Sequence, residues 1–226
     1  MESRLRRIKY RYGYCENILK RFKKRTTLTL PQIYLTLDFF IYFLRKLIIE
    51  KEYINILLFG KFYIRHQKYG DMPKFYLARS IRRCLGGELE FQKRRNSGLY
   101  VTNLDYKDIF IYAKKFLKLK KKDSIFLFNL LIEGIIQEIL DKGVVKVRNI
   151  GFFDTEIYKS STTSLFGKPG NYERKRIVKF KPFNSFIDET NGWVEEYKMT
   201  KQLRKLFDFY EFPIKVKGYD KKKNSN

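Results

Sequence analysis

The sequence predicts an α+β fold in which one small module, two helices followed by a β-sheet, occurs twice in tandem and the copies fold against each other. Three observations predict it. The stretch from Thr29 to Ile64 lies on residues 120–155 without a gap, pairing Leu37 with Phe128, Phe40 with Leu131, Ile41 with Ile132, Leu44 with Ile135 and Ile48 with Ile139. In both stretches the apolar spacing then changes from the i, i+3, i+4 of a one-faced helix to the alternation of a strand. Register persists beyond that change, with Ile54 on Val145, Ile56 on Val147, Gly60 on Gly151 and Phe62 on Phe153. Self-similarity of this length points to a repeated structural unit.

The elements follow in order. Glu16 to Lys24 is amphipathic and opens the first copy; Tyr106 to Leu117, containing IFIYAKKFL, opens the second. Thr29 ahead of Pro31, and Asp123 with Ser124, are expected to start the long helices, because a hydroxyl or carboxylate can accept from the unpaired N–H groups of a first turn. Tyr53-Ile54-Asn55-Ile56-Leu57 and Val144-Val145-Lys146-Val147-Arg148 read as strands, the second entered through Gly143. Gly60 and Gly151 stand between strand runs, where a missing side chain permits a bulge or tight turn. The first copy has room only for a short hairpin between Phe62 and Ala78, turning near Gly70-Asp71-Met72-Pro73. The second has room for a long arm from Thr155 to Arg176, with Ile177 to Phe186 returning as a strand. A further helix is expected from Thr200 to Tyr210, with Leu203, Leu206 and Phe207 on one face and Pro213 beyond its end. Residues 1–13 read as a basic tail, 14–87 as the first copy, 88–103 as a linker, 104–190 as the second copy and 191–226 as a C-terminal extension.

Composition bounds the function. The 226 residues carry 49 Lys plus Arg against 24 Asp plus Glu, a formal charge of +25, yet 44% are hydrophobic and 17% aromatic. Such a chain is too apolar to be a disordered polycation, and its folded surface expects an anionic neighbour. Heavy use of Lys, Ile, Asn, Phe and Tyr is also what an AT-rich coding genome produces. Cys15 and Cys84 are the only cysteines, and His66 the only histidine, so neither a disulfide framework nor a His/Cys metal site is expected. A phosphate-binding Gly loop, a Walker lysine and a nucleophile with a local base are all missing, and the expectation is a protein without catalysis or cofactor. The most apolar windows, Ile33 to Leu44 and Ile125 to Leu140, are interrupted by Asp38, Asn129, Glu133 and Gln137, so no membrane span is expected.

Helix, turn, helix, a G-x-x-V-x-[IV] strand and a GFG-x-F hairpin opening together resemble the bacterial HU and IHF proteins. LDKGVVKVRNIGFF, Leu140 to Phe153, carries the resemblance in the second copy, and IVKFKPFNSF is similar to the family's closing strand. Leu58-Phe59-Gly60-Lys61-Phe62 carries it in the first. The resemblance covers residues from about Tyr14 to Thr190 and implies an intrachain pseudo-dimer, one copy's sheet closing on the other's helices. It also implies two β-arms around duplex DNA, each with a proline wedged between base pairs, reading backbone charge and deformability rather than base edges. Carried over by position, Pro169 would be the wedge, with Lys168, Arg174, Lys175, Arg176 and Lys179 reaching phosphates and Arg94 and Arg95 adding to the basic surface. The tip Phe166-Gly167-Lys168-Pro169-Gly170-Asn171 lacks the family's Asn before the proline, and SSTTSLF replaces its arginine-rich strand.

Two functions follow. The first is a virion structural protein: IHF-like proteins of crAss-like tailed phages resemble it, and some of those resemble ring components of the tail and portal region. Its partners would be other virion proteins, copies of itself in an oligomer, or packaged duplex DNA. The second is an architectural protein of the bacterial cytoplasm or nucleoid that binds and bends duplex DNA without sequence specificity. The eroded arms favour the first.

Overall fold

The computed structural model describes residues 14–56, 59–85, 107–161 and 172–193, with the stretches 157–161 and 172–176 given by their backbone. The chain is mixed α+β. Its first half contains α1 (Glu16–Arg25), α2 (Leu30–Lys51), β1 (Tyr53–Ile56), β2 (Gly60–Arg65), β3 (Met72–Leu77) and α3 (Arg79–Leu85). Its second half contains α4 (Lys107–Leu117), α5 (Lys121–Lys142), β4 (Val144–Val147), β5 (Gly151–Ser161), β6 (Tyr172–Pro182) and α6 (Asn184–Thr190). Each half holds one antiparallel three-stranded sheet in chain order.

The two halves repeat one another residue by residue. Both long helices have 22 residues. Tyr53↔Tyr63 and Ile56↔Gly60 bound the β1–β2 ladder as Val144↔Asp154 and Val147↔Gly151 bound β4–β5. Even irregular hydrogen bonds recur. Ile64 N–H donates to the Glu52 carbonyl at 2.8 Å, and Thr155 N–H to that of Gly143 at 2.7 Å. Ala78 N–H donates to Phe59, and Phe183 N–H to Ile150, each closing the third strand onto the turn before the second. Gly60 and Gly151 begin the second strands because the third strand crosses there at close quarters. A Cβ on either would stand 2.3 Å from a carbonyl oxygen, that of Tyr76 or Lys181.

Local chemistry explains the boundaries. Glu16 in the first turn of α1 and Lys23, Lys24 and Arg25 in its last turn complement the helix dipole. Thr29 caps α2 as its sequence predicts, its N–H donating to Gln32 Oε1 at 2.8 Å. The start expected at Asp123–Ser124 is corrected: α5 begins at Lys121, and the buried Ser124 hydroxyl donates to the Lys120 carbonyl at 3.1 Å from inside the first turn. The return strand expected to reach Phe186 ends at Pro182, which has no N–H to continue a ladder, and Asn184 starts α6. The module thus ends in a short third helix, α3 or α6, of seven residues. The strands of the long arm run over 151–161 and 172–182, so the return strand, expected from Ile177, starts at Tyr172. The helix expected over Thr200–Tyr210, the linker at 88–103 and the basic tail at 1–13 lie outside the described residues.

One continuous core serves both halves. Between the sheets, Phe59, Phe62 and Phe75 of the first half meet Phe153 and Phe180 of the second, with ring centroids 4.9 Å apart for Phe75–Phe153 and 5.7 Å for Phe62–Phe180. The helices are exchanged too. α1 packs on α5 of the other half, where Gly134 admits Ile18 so closely that a Cβ would stand 2.7 Å from it. α4 bridges the halves: it packs on α5 of its own half, with Phe110 edge-on to Phe128 at 6.1 Å, and on α2 of the first, with Tyr112 stacked on Phe43 at 4.5 Å. Offset and edge-on rings at these distances add to the burial of their area. Among the described residues no single helix is long and apolar enough to cross a membrane; α1 and α2 are bent by 115° at the break between them.

Polar residues inside the long helices pin one half to the other. Asp38 of α2 accepts from the Tyr14 hydroxyl at 2.5 Å and from Arg148 at 3.0 Å. Burial pushes its carboxyl above the ordinary range, opposed by those two donors. Arg21 of α1 pairs with Glu133 of α5 at 2.9 Å, and the Asn17 N–H donates to buried Glu138 at 3.1 Å. Arg45, only 2% exposed, donates to the carbonyls of Asn149 (2.8 Å) and Ser185, pairs with Glu189 and lies over the Phe186 ring.

Two stability outcomes follow from this packing. Arg45→Ala leaves Glu189 buried without its cation and should cost about 3–5 kcal/mol in urea unfolding; a loss within about 0.5 kcal/mol would mean the pair is not holding the halves. Gly151→Ala forces a methyl against the Lys181 carbonyl and should cost about 1–3 kcal/mol, read as a lower unfolding midpoint at unchanged slope.

Candidate nucleic-acid interface

The arm of the second half is the part of the chain built to reach outward. Its ladder matches the first hairpin as far as Glu156↔Ile177, then continues through five more pairs, from Ile157↔Arg176 to Ser161↔Tyr172. At about 3.4 Å per residue that is about 17 Å of extra ribbon. Arg174, Lys175 and Arg176 lie on this extension, in register with Lys159, Tyr158 and Ile157. The expected wedge and its neighbour, Pro169 and Lys168, and the expected pair Arg94 and Arg95 lie outside the described residues.

Lys179 sits at the base of the arm rather than on it. There it pairs with Glu156 of the neighbouring strand, and Lys181 pairs with Asp154 at 3.2 Å. Both lysines are at least half exposed, so these ion pairs add little stability. What they do is neutralise positive charge where a phosphate would approach. On the same face Lys146 lies 5.6 Å from the Phe152 and Phe183 rings.

The first hairpin is not an arm. Its ladder stops at Arg65↔Met72, and its tip is fastened to the other half. Asn191, just past α6, accepts from the Asp71 N–H at 2.6 Å and donates to the Asp71 carbonyl at 2.9 Å, a two-bond clasp. Gly70 lies against the Trp193 indole, where an added Cβ would be 3.3 Å from the ring. His66 closes the tip, its Nδ1 3.0 Å from Asp71 and its Nε2 3.3 Å from Glu52.

A second basic surface is formed by the exchanged helices. Asn17, Lys20, Arg21, Lys24 and Arg25 of α1 and Gln137 of α5 line a cleft of about 240 Å³. Lys20 is paired with Glu16 and Arg21 with Glu133. The charge run of α1 reads in sequence as a solvated face; only its packing on α5 makes a cleft of it.

Among the described residues no group of His, Cys, Asp and Glu is placed to hold a metal ion. Cys15 is pushed up to about 11 by burial, with the Glu138 carboxylate adding to the effect, so it stays a thiol at neutral pH. Burial also raises Cys84.

His66 provides a probe of the fastened tip, being the only histidine of the chain. The hydrogen bond and charge of Asp71, then those of Glu52, raise its pKa above the ordinary value of 6.5. A raised histidine stabilises the fold fully below 6.5 and loses that contribution as pH rises through the folded pKa. Its imidazole proton resonance should therefore titrate above 6.5 and move back toward that value in Asp71→Asn; an unchanged midpoint in the variant would remove the contact. No family model, no curated protein and no solved structure matches this chain.

Proposed function

We propose that the chain is a non-enzymatic structural protein of HU/IHF-like fold, a component of a phage particle in its ring, tail or portal region, working as an oligomer with a basic surface. Support for the fold reading is the repeated order of helix, helix, three-stranded sheet, with a glycine opening each second strand and an aromatic core shared by the two halves. On this reading one chain would supply what that family builds from two.

The observation that carries the functional part is the fastened tip of the first hairpin. Bending a duplex by clasping needs two arms pulling from both sides, and DNA resists: a bend of 40–90° over 20–30 base pairs costs about 1–6 kcal/mol. One long arm facing one short, clasped hairpin supplies that work from a single side. The neutralised lysines at the base of the long arm point the same way.

The arm itself favours a second reading, an architectural protein that binds and bends duplex DNA in the bacterial cytoplasm or nucleoid. Five extra ladder pairs ending near Arg174, Lys175 and Arg176 would suit minor-groove entry with Pro169 as the wedge.

A duplex of about 35 base pairs with donor and acceptor dyes at its ends separates the two. The structural reading expects little change in end-to-end transfer at saturating protein, and recovery of the protein from purified particles as an oligomer. Strong bending that disappears in Pro169→Ala combined with Arg174→Gln, Lys175→Gln and Arg176→Gln, together with absence from particles, would replace it with the architectural reading.

A further inference from the structure

The outer face of the first sheet combines cations with tyrosine rings. Alternation along the strands buries Ile54, Ile56, Phe62, Ile64, Phe75 and Leu77 and turns the intervening residues outward. Outward stand Tyr53, Lys61, Tyr63, Arg65, Lys74 and Tyr76. Arg82 of α3 joins them, its guanidinium 4.6 Å from the Tyr76 ring centre. Lys61 Nζ lies between two rings, 5.9 Å from Tyr53 and 5.5 Å from Tyr76.

The face has four cations and, among the described residues, none has a carboxylate partner. Glu52 and Asp71, at the hairpin end, hold His66. The equivalent face of the second sheet is different. Where the first has Tyr63 and Arg65 the second has Asp154 and Glu156, which pair with its own Lys181 and Lys179. So the repeat conserves the sheet, but among the described residues the first outer face keeps four cations without a carboxylate partner, whereas the second pairs Lys179 and Lys181 and leaves Lys146 against aromatic rings.

We propose that this face is the docking surface for an acidic protein segment, bound in extended form across β1, β2 and β3. Charge complementarity selects the chemistry, since cations without partners on a sheet gain most from carboxylates brought to them. The tyrosines act as supports: each ring that touches a cation holds it in place and lowers the entropy lost on pairing. The same contacts speak against nucleic-acid bases. Tyr76 already faces both Lys61 and Arg82, and Tyr53 faces Lys61, so these rings are not open platforms for stacking. Three strands about 4.8 Å apart make the face about 10 Å wide, which about three extended residues of an acidic segment cross. The inference rests on the structural reading above and names the kind of neighbour that reading requires.

The test titrates a fluorescein-labelled deca-glutamate peptide with the full chain and follows anisotropy. Lys61→Gln with Lys74→Gln and Arg82→Gln should weaken binding about tenfold or more, as removal of three partly exposed charges at about 0.5 kcal/mol each predicts. Lys146→Gln with Lys179→Gln and Lys181→Gln should change it less than about threefold. Acetylation of the intact chain gives a readout that needs no variant: the peptide should protect Lys61 and Lys74 and leave Lys146 reactive. Equal weakening by both triple variants, absence of protection, or protection of Lys61 and Lys74 by a 20-mer single strand or duplex but not by the peptide would overturn the proposal. Duplex bending in the preceding experiment would instead overturn the structural reading, whatever the peptide does.

Discussion

Exchange of helices between the two halves is the constraint on which the rest depends. α1 is covalently part of the first half but lies on α5 of the second, and α4 lies between α5 of its own half and α2 of the first. A three-stranded sheet with two helices has more apolar surface than it can cover alone, as the shared cluster of Phe59, Phe62, Phe75, Phe153 and Phe180 makes plain. Fully burying one such ring is worth about 1.5–3 kcal/mol. Separating the halves would expose several of them at once, against a net stability of about 5–15 kcal/mol for an ordinary domain. The described residues therefore behave as one body, with the two hairpins and the two outer sheet faces fixed in one relative arrangement.

Within that symmetric frame, the polar contacts are not symmetric. Where α1 meets α5 the joint uses Gly134, the Arg21–Glu133 pair and the buried Glu138. Where α4 meets α2 the joint is mainly aromatic, through Tyr112, Phe116 and Phe43, with the part-exposed Lys51–Asp108 pair at 3.3 Å beside it. Arg45 and Asp38, both on α2, reach into the second half and fix its turn at Asn149 and its Arg148. Such buried polar pairs gain little over apolar packing but penalise wrong arrangements heavily. They hold the two halves in one asymmetric arrangement, with the first hairpin clasped and the second hairpin carrying the longer ladder.

Much of this was legible in the residues. The pairing of Leu37 with Phe128 through Phe62 with Phe153 located both long helices, both first strands and both strand-opening glycines, because side-chain periodicity survives where identity does not. Short elements were not legible: α3 and α6 have seven residues each, two turns that leave little periodic signal. Asp38 and Glu133 showed in sequence only as interruptions of apolar runs; their partners Tyr14, Arg148 and Arg21 are far away in the chain. The candidate site was less legible still. Lys179 reads in sequence as a phosphate ligand, and nothing in sequence shows that the fold sets it opposite Asp154 and pairs it with the diagonal Glu156. The clasp of Asn191 on Asp71, and the row Lys61, Lys74 and Arg82, arise from folding alone.

Native-state hydrogen exchange across increasing denaturant measures the central claim directly, by comparing the amides of β1 and β2 with those of β4 and β5. A shared core predicts that all four strands exchange through the same opening, with one free energy and one denaturant slope. Protection lost in one sheet at low denaturant while the other keeps its full value would contradict it, and would make the halves two domains in contact rather than one exchanged body.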